Sequence, residues 1–433
     1  MTPDSARLDA RPVVGCGSAA ASLDAADLRA IVAEALASIE PGARVLAVIA
    51  DRTRDDNTDV LLPLIAEELA RRGAARFDAL VAQGTHQAMT AEEKRQKIGA
   101  DRAPLAGLRD VFDHAWNRDA ELAGIGRLEP SQVHRLSGGL MDAAVPVRVN
   151  ARLAGGTYDA ALIVGATVPH EVAGFAGGAK YFFPGVAGPE LTHVTHWLGA
   201  LATIEEVIGR VETPTRRLIE AAADLIPLPA IGFTSVVSRA DGRLRTHALF
   251  AGDVALSMRR AAAISQQVHV RYTGRRYRRV VALLDRHYDE LWVGGKASYK
   301  LGGIIESGGE LIVYAPHMTR ISATHGHLIE KYGYAPLEQV REMVEGSDEL
   351  RANLCVAAHL AHVSFAGRRD SDGRIAPRYR ISLASAIDEP TCRRVKLGYL
   401  DYREFDPQTY VDDPDTLIVE DAGRDLYLPA AQH

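Results

Sequence analysis

Between residues 160 and 197 an apolar run, Ala160-Ala161-Leu162-Ile163-Val164, opens directly into a glycine-rich stretch carrying His170, Lys180, His193 and His196. A short run that is apolar at every position reads as a strand buried on both faces, the habit of parallel sheets in α/β folds. Such folds build their sites at strand carboxyl ends. Glycines there let the backbone approach a flat or anionic ligand closely, because no Cβ intervenes. A lysine among them can neutralise a phosphate or form a covalent bond through its amine. Imidazoles carry protons or bind metals near neutral pH. The stretch is not a Walker phosphate loop, since Gly174 to Lys180 has the wrong spacing and Tyr181 stands where Ser or Thr has to bind magnesium.

Two other apolar runs repeat the arrangement. Arg44 to Ala50 reads as a strand with Asp51 at its carboxyl end, followed by a helix bearing Leu62, Ile65, Ala66 and Leu69 on one face and ended by Gly73. Phe77 to Val81 reads as the next strand and runs into Gly84-Thr85-His86, after which Thr90 caps a helix through Glu92 and Glu93. Three strands thus end in three candidate site loops, at residues 51–54, 84–86 and 165–180. A parallel sheet places such loops on one edge.

The carboxyl-terminal part starts at the basic run Arg275–Arg279, read as a solvated linker. Strand Val280 to Leu284, a glycine-rich region with Lys296 and Lys300, and strand Glu310 to Tyr314 follow. Helical patterns then cover 323–333, 336–345 and 350–365, and residues 416–420 read as a late strand returning to either domain. The expected fold is α/β and two-domain. A parallel-sheet domain spans 1–274, a smaller α/β domain spans 275–433, and the active site lies in the cleft between them.

Length supports two domains, since 433 residues exceed what one core usually organises. A net charge of -6 gives no footprint for nucleic acid or an anionic membrane. No apolar run reaches the ~20 residues of a membrane helix. The opening, MTPDSARLDARP, lacks the layout of a secretory signal. Cys16, Cys355 and Cys392 are odd in number and far apart, which argues against a disulfide framework. Cytoplasm is the expected compartment.

By type and spacing the chain resembles the nickel-pincer lactate racemase family of 2-hydroxyacid racemases and epimerases. The family's HxxxGxxGGxK element stands here as His170, Gly174, Gly177, Gly178 and Lys180, with a metal-binding histidine sixteen positions on at His196. Its Asp-x-Thr-Arg element is Asp51-Arg52-Thr53-Arg54, its Gly-x-His element is Gly84-Thr85-His86, and Lys296 lies twelve residues before Gly308-Gly309. The resemblance covers roughly residues 40 to 315. It implies a nickel-pincer nucleotide, held by Lys180 with Asp51, Thr53, Gly177 and Gly178 around it and with His196 on the nickel. It further implies hydride transfer from substrate C2, His86 and His170 as general bases on opposite faces, and Arg54 and Lys296 as anchors for the substrate. The implied partners are a small 2-hydroxy acid and, transiently, the proteins that build the cofactor; a homo-oligomer is left open.

Departures bear on the substrate. Asp55-Asp56-Asn57 stand where a proline is frequent, and Val293 stands where some members carry glutamine. Lactate and a larger polar acid, such as a sugar acid, both remain open. Two rival readings are a zinc hydrolase or lyase using His170, His193 and His196, and a non-catalytic binder of the cofactor. His317, His325 and His327 read either as ordinary polar residues or as a second metal site.

Overall fold

The computed structural model describes residues 11–240, 242–369 and 371–430. Residues 1–10, most of the opening read against a secretory signal, lie outside them. The larger sheet has seven strands, in the order Val14–Gly17, Arg243–Gly252, Ala230–Ala240, Ala160–Ala166, Arg44–Ala50, Arg76–Ala82 and Leu108–Asp113. The last five are mutually parallel; Arg243–Gly252 runs antiparallel to them, and Val14–Gly17 pairs antiparallel with it at the edge.

The strand Arg44–Ala50 explains why its run is apolar throughout. Val45, Ala47 and Ile49 pack into one core, and Leu46 and Val48 into another on the opposite face. A strand covered on both sides has no polar face to show. The first core is closed by the helices Ala25–Ala35 and Thr58–Arg71, whose buried faces include Leu28, Val32, Leu61 and Ile65.

A second, five-stranded sheet is parallel throughout, in the order Gly398–Asp401, Arg380–Ser385, Ile305–Ala315, Tyr277–Leu283 and Thr416–Val419. The late strand therefore joins this second sheet. The chain then turns back, and Leu426–Leu428 pairs with Val270–Tyr272 ahead of it. The basic run is not a linker: Tyr277, Arg278 and Arg279 already belong to a strand. Arg279 is half-buried between Glu310 and Asp413, because two carboxylates beside the strand take its charge. Trp197, Ala200, Ile204 and Ile208 of the first unit share one apolar core with Val280, Leu311 and Leu383 of the second sheet. Among the described residues no helix is long and apolar enough to cross a membrane.

Candidate active site

The large sheet reverses its strand order beside Arg44–Ala50. From there the chain steps outward to Arg76–Ala82 and Leu108–Asp113, and later fills the other side with Ala160–Ala166 and Ala230–Ala240. Ligands in open α/β sheets bind at such a switch point, outside the carboxyl ends of the strands. The three loops expected to meet do so here, because Arg44–Ala50 is flanked in register by the strands that carry the other two. Two adjoining cavities, of about 120 and 540 Å³, open at this edge and share Arg54, His170, Glu171, Lys180 and Lys296 as a common wall.

His86 is set by Asp51. The carboxylate Oδ2 accepts from His86 Nδ1 at 2.6 Å, and Oδ1 accepts from the Thr53 amide at 3.0 Å and the Thr53 hydroxyl at 2.6 Å. Burial opposes ionisation of Asp51, yet His86, Arg54 and Thr53 hold it well below the usual carboxylate range. An ionised acceptor on Nδ1 leaves the Nε2 lone pair of neutral His86 available, so the imidazole is arranged as a base. Asp51 and Thr53, expected around the cofactor, are bonded to each other, and Asp51 also holds His86.

His170 is arranged the opposite way. It is buried, and its Nδ1 accepts the Val172 amide hydrogen at 3.1 Å, so the neutral ring carries its proton on Nε2. Glu171 Oε1 stands 3.6 Å from that nitrogen. Burial, with Lys180, Arg54 and Lys296 nearby, keeps the ring's pKa well below its ordinary value. As placed, the neutral ring of His170 donates from Nε2, and the expected role as a general base requires its other tautomer.

The glycine loop is held from behind. Gly174 has φ +80, and a Cβ there would collide with the Arg210 carbonyl. Arg216, fully buried, donates to the carbonyls of Phe175 and Gly177. Lys180 follows on the short turn Gly178–Tyr181. Burial, then the Arg54 guanidinium, brings its amine down to about 7. His196 lies on the helix Pro189–Leu201, where its Nδ1 donates to the Thr192 carbonyl at 2.7 Å and so leaves the Nε2 lone pair bare. Burial lowers it to about 4 against that bond, so the ring is neutral at pH 7. A neutral imidazole whose far nitrogen is tied to a carbonyl is how proteins present a metal ligand.

The second unit closes the site. The short helix Lys296–Leu301 brings Lys296 to the common wall, and burial with Arg54 lowers its amine to about 7. Lys300, itself buried, donates to the Pro169 carbonyl at 2.5 Å and ties this unit to the His170 loop. The helix Leu354–Val363 contributes two histidines that sequence reading did not single out. His359 bonds the Tyr299 hydroxyl at 2.8 Å and lies against Trp292, and His362 lines the smaller cavity. Two imidazoles three apart in the apolar run LCVAAHLAHV were the available signal. Gln83, Glu171 and Arg216 had no such mark.

The remaining histidines are occupied elsewhere. His193 Nδ1 accepts from the Cys355 amide at 3.2 Å, His317 donates to the Tyr288 carbonyl, and His325 packs on Trp292 at 4.5 Å. Among the described residues no three His, Cys, Asp or Glu side chains are grouped to hold a metal ion. Neither the second metal site at His317, His325 and His327 nor a zinc site of His170, His193 and His196 therefore has its ligand set.

Residues 18–207 match the family model of the lactate racemase N-terminal domain, and over that span the chain is similar to the lactate racemase family. A lactate racemase of Thermoanaerobacterium thermosaccharolyticum is 28% identical over 155 residues, which are 35% of this chain and 32% of that protein. The chain thus spans about a third of the curated relative it matches. A Thermotoga maritima protein of known crystal structure is 30% identical, with 94% of this chain and 98% of that one covered at a TM-score of 0.85. The lactate racemase apoprotein of T. thermosaccharolyticum shares the fold, at a TM-score of 0.70 and 17% identity over 92% of each chain.

Proposed function

We propose that the chain is a nickel-dependent racemase or epimerase of a 2-hydroxy acid. The observation that carries this reading is one cavity holding three groups: His196 with a bare Nε2, Lys180 with an amine near neutrality, and His86 backed by a carboxylate. His196 would complete the coordination of nickel, to which imidazole is suited. Lys180, about half of it neutral near pH 7, would hold a nickel-pincer nucleotide covalently, with Gly177 and Gly178 beside it. Such a group, when bound, supplies an acceptor for the C2 hydrogen as hydride.

The chain's own residues then position the acid and move its proton. Arg54 binds the substrate carboxylate through two parallel hydrogen bonds, with Lys296 beside it. His86 Nε2 takes the hydroxyl proton, and Asp51 stabilises the imidazolium that forms. His170 donates from Nε2 to a substrate oxygen. To serve as the second base its ring has to release the Val172 amide and carry its proton on Nδ1. The proteins that build the cofactor are transient partners, and cytoplasm is the compartment that suits them.

The test uses the chain produced together with the cofactor-building proteins and a 2-hydroxy acid deuterated at C2. We expect interconversion of the epimers, slowed by the label, with deuterium kept at C2. Wash-out of the label into water would mean proton abstraction by a side chain and would overturn the reading. Zinc instead of nickel on elemental analysis, with no added nucleotide mass, would favour the hydrolase.

A further inference from the structure

The second unit carries a pocket of its own, about 290 Å³ in volume and lined by none of the residues that line the two cavities above. It opens near the amino ends of two adjacent strands, where Gly308 and Gly309 lie early in Ile305–Ala315 and Arg378 precedes Arg380–Ser385. The active cavities meet the same sheet at the other end, through Asp285 and Tyr288 just past Tyr277–Leu283. Tyr334 and Tyr379 form the partition. The Tyr334 hydroxyl lies 3.2 Å from Nε2 of His359. Ser298 donates its hydroxyl to the Val363 carbonyl at 2.7 Å, so the Tyr379 hydroxyl, 2.9 Å away, donates to Ser298.

Four cations and no carboxylate line this pocket. Two are already neutralised, since Arg378 pairs with Glu205 and Arg380 with Glu310, each at 2.7 Å. The side chains of Arg368 and Lys396 have no acid, carbonyl or ring as partner among the described residues. Lys396 is nonetheless fixed in place. It follows the helix Glu389–Arg394 at φ +62, a position where glycine commonly ends a helix and a lysine is strained. Its stem lies across Gly333, where a Cβ would come within 3.0 Å of Cγ, Cδ and Cε. Ser364, 5% exposed, adds a hydroxyl that bonds no other described group. Gly308 leaves the backbone open, since a Cβ there would meet nothing within 4 Å.

Two unpaired cations in one small space call for a dianion. A phosphate group gathers two charges and several acceptors on one centre, and it accepts from a guanidinium fork, an ammonium and a hydroxyl together. A dicarboxylate spreads its charges over two groups. The volume stands at the low end for small-molecule sites, too small for a folded partner. We propose that this pocket is a second ligand site, which binds a phosphate group, free or as the monoester of a small alcohol, through Arg368, Lys396 and the Ser364 hydroxyl. Its occupant stands one side chain away from His359 and Ser298, across the two tyrosines.

The experiment is a calorimetric titration of the full chain with inorganic phosphate, glycerol 3-phosphate and malonate. Arg54, Lys180 and Lys296 form another anion-attracting wall, so Arg54→Gln is the background in which the pocket is read. One equivalent of a phosphate probe is expected to bind there, and the tighter of the two names the source. Malonate should bind at least about 5-fold more weakly. Arg368→Gln and Lys396→Gln should each weaken the phosphate probe about 3–20-fold, the range between an exposed ion pair and a hydrogen bond to a charged group. Lys396→Gly removes the ammonium and relieves the left-handed strain, so it should weaken binding while the Tm holds or rises. That combination separates a lost ligand contact from a damaged fold. Absence of phosphate binding in the Arg54→Gln chain, malonate bound as tightly as phosphate, or affinity unchanged by both Arg368→Gln and Lys396→Gln would overturn the proposal.

Discussion

His86 and His170 differ in what their Nδ1 atoms touch, and that difference decides their chemistry. Asp51→Asn keeps the side chain's volume but removes the anion that holds the Nδ1 proton of His86. We expect kcat to fall about 10²–10⁴-fold with nickel content unchanged, the usual worth of a general base; a near-native rate would remove Asp51 from the role. His196→Ala should lose nickel by elemental analysis while keeping the fold, and full nickel retention would release His196. The lysines allow a pH test. Lys180 and Lys296 are lowered to about 7 from an ordinary 10.5. Between those values the unfolded chain binds more protons than the folded one, so stability rises with pH from about 7 to 10.5, and the deficit is complete below 7. Lys180→Met should therefore raise the Tm of the cofactor-free chain by about 2–4 °C at pH 7 and bring less gain at pH 10. A lower Tm at pH 7 would show that the amine costs the fold nothing.

Among the elements, the loop from Gly174 to Lys180 depends most on its backing. Gly178 has φ +60, and a Cβ there would stand 2.9 Å from Met258 Cβ on the helix Val254–His269. Gly178→Ala should cost about 2–4 kcal/mol from left-handed strain and overpacking together. If the proposed attachment at Lys180 holds, it should also abolish that mass adduct, because the turn carrying the amine shifts. Intact-mass measurement checks the adduct and thermal melting checks the cost. Unchanged values in both would mean that the helix yields freely at Met258. The helix Pro189–Leu201 orients His196 through its Thr192 carbonyl.

Over the whole molecule, two sheets are bound by one core. Trp197, Ile204 and Ile208 are buried among residues of the second sheet, and Lys300 crosses 131 positions to reach Pro169. Units joined by so much shared apolar surface lose it together. Calorimetry of the cofactor-free chain should show a single cooperative transition. Two resolved transitions would mean that the shared core is no barrier to separate unfolding. The boundary read near residue 275 is blurred for the same reason, with the tail pairing to Val270–Tyr272 and the basic run already in a strand.

Strand, helix and cap patterns are local, and the chain disclosed them by itself. Buried runs with no polar face announced the parallel sheet, Thr90 and Glu93 formed the capping box their spacing announced, and three loops at strand ends met because parallel strands point one way. The candidate residues Arg54, His86, His170, Lys180, His196 and Lys296 line one cavity as their motifs suggested. What no spacing could disclose is the partner of each nitrogen. Whether an imidazole offers a lone pair or a proton depends on which carboxylate, carbonyl or amide packing brings to its other side. Those groups arrive from distant parts of the chain, as Asp51 reaches His86. Motifs determined which residues meet; only the tertiary structure decided what each of them can give or take, because hydrogen-bond partnership is a property of the packed whole.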